Sequence, residues 1–168
     1  MNKVVIKNDI LAEKAQEGMD AFVQVFVDAI NESIGGQLTA ETMALLNADQ
    51  ITLLGYSILR DEVMDGGFVQ LIHNGYGPFF FKNPFGKMMR EWGIDELATL
   101  MNRTRSLYGK FHKEIERECT DEEFMALFEQ MPQFDDCDDL FVENEEQWTA
   151  AVAYYIDEHI DRFADIEE

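Results

Sequence analysis

The sequence predicts an all-α fold, a single-domain multi-helix bundle that spans residues 1–168. Apolar residues recur at spacings of three and four along most of the chain, and Gly or Pro follows each such segment, as is typical of helices and their ends. Alternation that would indicate a strand is confined to KVVIK, residues 3–7. With 168 residues and 46% hydrophobic composition, one bundle can bury its own core.

The first third of the chain predicts two helices. Apolar side chains share one face from about residue 9 to 33, so a single helix is expected there, ended by the glycines at 35–36. Asn47 and Gln50 match a capping box, which predicts that the next helix begins beside them and continues to Met64.

A tight helix corner is predicted at Gly66-Gly67, because glycine takes positive φ without strain and ends a helix. Asp65 is expected to cap the short helix that follows, which Asn74-Gly75 would end. Gln70, a polar residue among apolar neighbours, is expected to bond backbone groups that the corner leaves unpaired.

The segment NGYGPFFFKNP, residues 74–84, concentrates Gly, Pro and Asn and predicts an aromatic loop. A short helix is then expected from Phe85 to Trp92, ended by Gly93, and a long amphipathic helix from Ile94 to Ile115.

Two more helices are predicted in the C-terminal third. Thr120 and Glu123 form a capping box for a helix that Pro132 terminates. Asn144 and Gln147 are expected to cap the last helix, which would leave the DDCDD and ENEE segments between the two helices.

Acidic residues dominate the charge. There are 34 of them against 13 basic residues, for a net charge of −21. Residues 114–168 hold 20 acidic and 2 basic side chains, so the acidity is expected at the C-terminal end. Such a field repels nucleic acid and argues against direct nucleic-acid binding.

The acidic C-terminal part, residues 114–168, predicts a surface of closely spaced carboxylates. Asp157, Asp161 and Asp165 recur every fourth residue, which would align them on one helix face. Like charges at this spacing destabilise a helix, so stability alone does not favour the pattern. The residues expected to form a partner-binding acidic surface are Asp135, Asp136, Asp138, Asp139, Glu143, Glu145, Glu146, Asp157, Asp161 and Asp165.

The stretch EVMDGGFVQLIHNGYG, residues 62–77, resembles the signature of a bacterial family of helical proteins, a domain of unknown function named for its DNA-mimic member. Asp65 replaces the usual Asn and Leu71 the usual aromatic residue, and Asp can cap a helix as Asn does. The similarity extends to residues 85–108 and 134–160. The matching or aligned motif residues, which we interpret as structural, are Glu62, Val63, Asp65, Gly66, Gly67, Phe68, Gln70, Asn74 and Gly77.

This resemblance implies a non-enzymatic protein whose carboxylates stand in for phosphates. The expected partner is a basic protein, such as a DNA-binding protein, for which it would compete with DNA. Acidic surfaces also serve solubility alone, and the sequence leaves that alternative open.

Two other hypotheses remain open at this point. One is an enzyme or small-ligand protein with a pocket around Gln70, His73, Asn74 and Tyr76, in which His73 would act as a base. The other is an oligomeric scaffold, such as a homodimer, held by exposed side chains of residues 79–81.

No metal site or cofactor is expected. The DDCDDLFVENEEQ segment lacks the glycine and the ligand spacing of an EF-hand, and the three histidines show no ligand spacing. Cys119 and Cys137 are expected to be reduced thiols. The sequence shows neither a signal-peptide core nor a membrane span, so a cytoplasmic protein without membrane contact is expected.

Overall fold

The computed structural model describes residues 3–168, so Met1 and Asn2 of the opening segment lie outside the described residues. It confirms the all-α prediction. The helices within residues 3–168 are α1 (Asn8–Glu17), α2 (Met19–Ser33), α3 (Ala40–Met43), α4 (Ala48–His73), α5 (Gly77–Phe81), α6 (Phe85–Glu91), α7 (Asp95–Glu116), α8 (Asp121–Glu129), α9 (Asp135–Glu158) and α10 (Ile160–Phe163), with a 3₁₀ turn at Pro132–Phe134.

Two short strands pair near the two ends of the chain. β1 (Val5–Lys7) lies parallel to β2 (Asp165–Glu167), with Ile6 opposite Ile166. The strand candidate at residues 3–7 is thereby confirmed. β2 escaped prediction because three residues are too short to show alternation.

The chain forms two compact units, and α4 and α9 contribute residues to both. Among the described residues, the first unit comprises residues 3–57 and 146–168. Its core contains Phe26 and Phe163, whose ring centroids lie 6.3 Å apart, and the buried Tyr56 hydroxyl, which is 2.7 Å from Thr149 Oγ1.

The second unit comprises residues 58–145. Its core includes Phe68, Phe134 and Phe141, none of which is accessible to solvent. Helices α5, α6 and α7 pack against one another here, and the Phe81 ring stacks on that of Tyr108 with centroids 5.0 Å apart.

Two predicted element boundaries were wrong in the N-terminal half. The single helix expected over residues 9–33 is α1 and α2, separated by Gly18 with φ 135°. The predicted aromatic loop contains helix α5, because Pro78 suits the first turn of a helix. Phe80 and Phe81 of α5 are buried, which removes the exposed apolar contact expected of an oligomeric scaffold.

The capping boxes at Asn47–Gln50 and Thr120–Glu123 are confirmed by reciprocal backbone hydrogen bonds. The expected cap at Asn144 was wrong, because α9 begins nine residues earlier, at Asp135. The Asn144 amide donates to the Leu140 carbonyl inside the helix. The DDCDD and ENEE segments are therefore helical.

Within residues 3–168, none of the helices combines the length and apolar character needed to cross a membrane.

Candidate partner-binding surface

Helix α9 presents four exposed carboxylates in the second unit, Asp135, Asp136, Asp139 and Glu143, which we call the α9 acidic stripe. In an α-helix residues four apart share a face, which places Asp135, Asp139 and Glu143 in line. At 1.5 Å per residue these three carboxylates are about 6 Å apart, and with Asp136 included the stripe averages about one charge per 4 Å over about 12 Å of helix axis. A DNA strand carries one phosphate per ~3.4 Å of helix axis, so the two charge densities are comparable.

Asp138 does not belong to this exposed surface. It is half-buried, and its Oδ1 accepts a 2.8 Å hydrogen bond from the Phe68 backbone N–H. Phe68 begins the short helix after the glycine corner, so Asp138 supplies the cap that was expected from Asp65. The prediction that Asp138 faces a partner is corrected accordingly.

The environment of Asp138 disfavours its charge. Burial raises the pKa of Asp138 to about 7, and the charges of Asp135 and Asp139 contribute in the same direction. The hydrogen bond from the Phe68 N–H opposes this shift without cancelling it. With a pKa of about 7, Asp138 is close to half-protonated near neutral pH.

Glu145 is the second predicted surface residue that points inward. Only 8% of it is exposed, and its Oε1 lies 2.6 Å from Arg60 Nε. The pair joins α9 to α4 within the second unit. Sequence reasoning missed Arg60, because the two residues are 85 positions apart and neither is unusual in its own segment.

Lysine and arginine neutralise little of the α9 acidic stripe. Arg103 Nη2 lies 3.4 Å from Asp136 Oδ2, with both side chains at least half exposed, and such pairs contribute little. Asp135, Asp139 and Glu143 form no ion pair with the residues that the structure describes. Three of the four charges therefore remain uncompensated.

The remaining predicted carboxylates lie in the first unit. Glu146, Asp157, Asp161 and Asp165 are all exposed. The alignment of the last three on one helix was wrong, because α9 ends at Glu158 and the backbone of His159 departs from helical angles. Asp161 belongs to α10 and Asp165 to β2.

Negative charge is divided almost equally between the two units. The first holds 15 acidic and 4 basic residues, a net −11, and the second holds 19 and 9, a net −10. The acidic residues are therefore concentrated at one end of the sequence but not in one unit of the structure, because residues 146–168 fold with the N-terminal residues up to 57.

The glycine corner is built around a hydrogen-bonded network of side chains. Gln70 Nε2 donates to Glu62 Oε2 at 2.9 Å and to Asp65 Oδ2 at 3.0 Å, and Asn74 Nδ2 donates to the same Glu62 oxygen at 2.9 Å. Gln70 was expected to bond backbone groups, and the structure gives it carboxylate acceptors instead.

Three glycines of the motif leave room for other side chains. A Cβ on Gly66 would overlap the Gln70 amide, one on Gly67 would overlap the Asp138 carboxylate, and one on Gly77 would overlap the Tyr108 ring. Gly67 also has φ 74° and ψ −175°, a conformation essentially restricted to glycine. Close packing thus accounts for the glycines at these three positions.

His73, the candidate base of the enzyme hypothesis, has structural contacts. Its Nδ1 lies 2.8 Å from the Ile115 carbonyl oxygen, its Nε2 lies 3.9 Å from Cys119 Sγ, and its ring packs on Phe124. With Gln70 and Asn74 engaged by Glu62, three of the four residues proposed for a pocket already have partners within the second unit.

Comparison with known proteins shows the family of this chain. Residues 44–159 match the family model of DMP19-like proteins. The chain is also 32% identical to DNA mimic protein DMP19 of Neisseria meningitidis serogroup B. The 152 aligned residues cover 90% of this chain and 92% of that protein. The glycine corner, α7 and all of α9 lie within the matched region. The chain therefore belongs to the DMP19-like protein family.

Proposed function

We propose that the protein is a DNA mimic that occupies the DNA-binding surface of a basic protein. The α9 acidic stripe carries this proposal, since its spacing approaches that of phosphates and three of its carboxylates have no cationic partner within the described chain. Membership in the DMP19-like family supports it, because the relative from Neisseria is named as a DNA mimic protein.

The rigidity of the stripe distinguishes a mimic from an acidic protein that is merely soluble. Asp138 and Glu145, on the inner side of α9, bond to Phe68 and Arg60 of α4. These contacts hold the helix at a fixed rotation, so the outer carboxylates keep a defined arrangement. A partner can then recognise their positions as well as their total charge.

The proposed action requires binding only, without catalysis, in the cytoplasm where DNA-binding proteins are found. Association would be steered by charge and would weaken with salt, as protein–DNA association does.

Competition with DNA tests this proposal. The immobilised protein is exposed to a bacterial lysate at low salt, and bound proteins are released with short duplex DNA. We expect DNA-binding proteins to be released by the duplex, because mimic and DNA would compete for one surface. Retention in the presence of excess duplex would contradict mimicry.

Two variants with equal net charge separate position from total charge. The first carries Asp135→Asn, Asp136→Asn, Asp139→Asn and Glu143→Gln. The second carries four acid-to-amide changes at exposed positions elsewhere in the second unit: Glu91→Gln, Glu114→Gln, Glu118→Gln and Glu129→Gln. We expect capture to fail for the first variant and persist for the second. Equal losses would show that only the overall charge matters.

A further inference from the structure

The first unit contains an apolar groove with a carboxylate at its edge. The groove has a volume of about 190 Å³ and lies between the α1–α2 junction and the C-terminal half of α9. Most of the surface that lines it is apolar. The residues that line it include Gly18, Met19, Phe22, Ala153, Tyr154 and Asp157.

The groove is open to solvent, with Tyr154 and Met19 exposed and Phe22 half-buried. Tyr154 is 60% exposed and Met19 is 43% exposed. Asp157 is exposed and forms no ion pair with the described residues. The break at Gly18 that separates α1 from α2 contributes one wall.

We propose that this groove binds an arginine side chain of a basic partner protein. The methylene stem would pack between Met19 and Phe22, and the guanidinium would stack on the Tyr154 ring beside the Asp157 carboxylate. This combination suits arginine, whose flat and weakly hydrated head group stacks on aromatic rings while it pairs with a carboxylate. The inference rests on the proposed function for the basic character of the partner.

Charge argues against other occupants of the groove. A second copy of this chain would bring a net charge of −21 to a unit that carries −11. An anionic membrane surface would be repelled for the same reason. A phosphate backbone offers no apolar pocket. The groove would therefore give the mimic a contact with its partner protein in addition to the contacts at the partner's phosphate-binding sites.

The test titrates the full-length protein with three small probes and follows backbone amide chemical shifts. N-acetyl-arginine amide carries stem and head group, N-acetyl-norleucine amide carries a stem alone, and guanidinium chloride carries the head group alone. We expect saturable shifts at Met19, Tyr154 and Asp157 with the arginine probe, and affinities at least about fivefold weaker with the other two. Equal affinities for all three probes, or shifts elsewhere, would overturn the proposal.

Two pairs of variants refine the test. Tyr154→Ala should weaken the arginine probe about fivefold, whereas Met125→Ala, an equally exposed apolar residue of the other unit, should leave it unchanged. Asp157→Asn should also weaken it, while Asp161→Asn, exposed but outside the groove lining, should change it less than about twofold. Equal effects within either pair would reject the groove, and circular dichroism verifies folding.

Failure here is distinguishable from failure of the DNA-mimic proposal. If the arginine probe binds but captured proteins are not released by duplex DNA, the groove remains and mimicry fails. If duplex DNA releases the captured proteins but Tyr154→Ala has no effect on the probe, mimicry remains and the groove proposal fails.

Discussion

The contact between Gly67 and Asp138 links the family motif to the acidic helix. Gly67 adopts a glycine-restricted conformation, and its missing side chain lets the Asp138 carboxylate reach the Phe68 N–H at 2.8 Å. Glycine is thus required at position 67 for two reasons, the backbone angle and the close approach of the Asp138 carboxylate. An acidic residue that the sequence assigned to a binding surface is in fact part of the scaffold.

Substitution of Gly67 by Ala should destabilise the protein by about 2 kcal/mol or more, because the change adds backbone strain and a clash with Asp138. Gly93→Ala is the matched control, because Gly93 has φ 83° with open space around it. This substitution should add backbone strain alone, about 1 kcal/mol. Chemical denaturation measures both losses. Equal losses would show that the approach of Asp138 contributes nothing.

Asp138 should make stability depend on pH in the direction opposite to that of an ion-paired carboxylate. Its pKa is about 7 in the folded protein and near the ordinary 3.8 when unfolded. Between these values the folded state holds the proton more tightly, so the free energy of unfolding falls as pH rises towards 7 and levels off above it.

Asp138→Asn should remove this contribution while it keeps an oxygen to accept from Phe68. Relative to the wild type, the variant should become more stable as pH rises from 4 to 8, as measured by denaturation at several pH values. Glu143→Gln changes an exposed carboxylate of α9 that does not contribute to the raised pKa of Asp138, and it serves as the control. A difference between wild type and Asp138→Asn that does not vary with pH would contradict the raised pKa.

Helix α9 has two acidic faces with different roles, and single substitutions should separate them. Glu145→Ala leaves Arg60 without its carboxylate in a largely buried position and should cost roughly 3 kcal/mol of stability. Glu143→Ala, two residues away and exposed, should change stability by less than about 0.5 kcal/mol. A comparable loss in both variants would reject the assignment of the faces.

Local signals were sufficient to predict most of the helical elements. The capping boxes at Asn47 and Thr120 lie within four residues of chain, and the structure confirms both. The corner at Gly67 was also predicted, because a glycine pair between apolar segments is itself a local signal. Where the interacting residues are close in the sequence, the sequence alone predicts the element.

Two of the errors have long-range causes, whereas the late start of α9 has a local one. The cap on Phe68 comes from Asp138, 70 residues away, and β2 exists only because β1 lies beside it. The start of α9 was placed too late because Asn144 and Gln147 resemble its cap, although the four Asp residues near its true beginning suit the positive end of a helix. That error hid the division of the acidic residues between an outer and an inner face.

At the scale of the whole molecule, each unit carries roughly ten uncompensated negative charges. Stability alone does not favour this distribution, because self-repulsion opposes the compact state. The family motif, the Arg60–Glu145 pair and the apolar cores must offset that repulsion. The scaffold therefore tolerates a net negative charge that opposes folding. Binding to a basic partner would favour that charge.

Salt should stabilise this protein against heat, because it screens the repulsion among 34 acidic side chains. We expect the melting temperature to rise by several degrees between about 10 and 300 mM sodium chloride, a range over which the screening length falls severalfold. The same addition should release a bound basic partner, so stability and affinity should change in opposite directions. The variant with four amidated residues on α9 should show a smaller rise. A melting temperature independent of salt would mean that repulsion within each unit is already balanced, contrary to the net charges of −11 and −10.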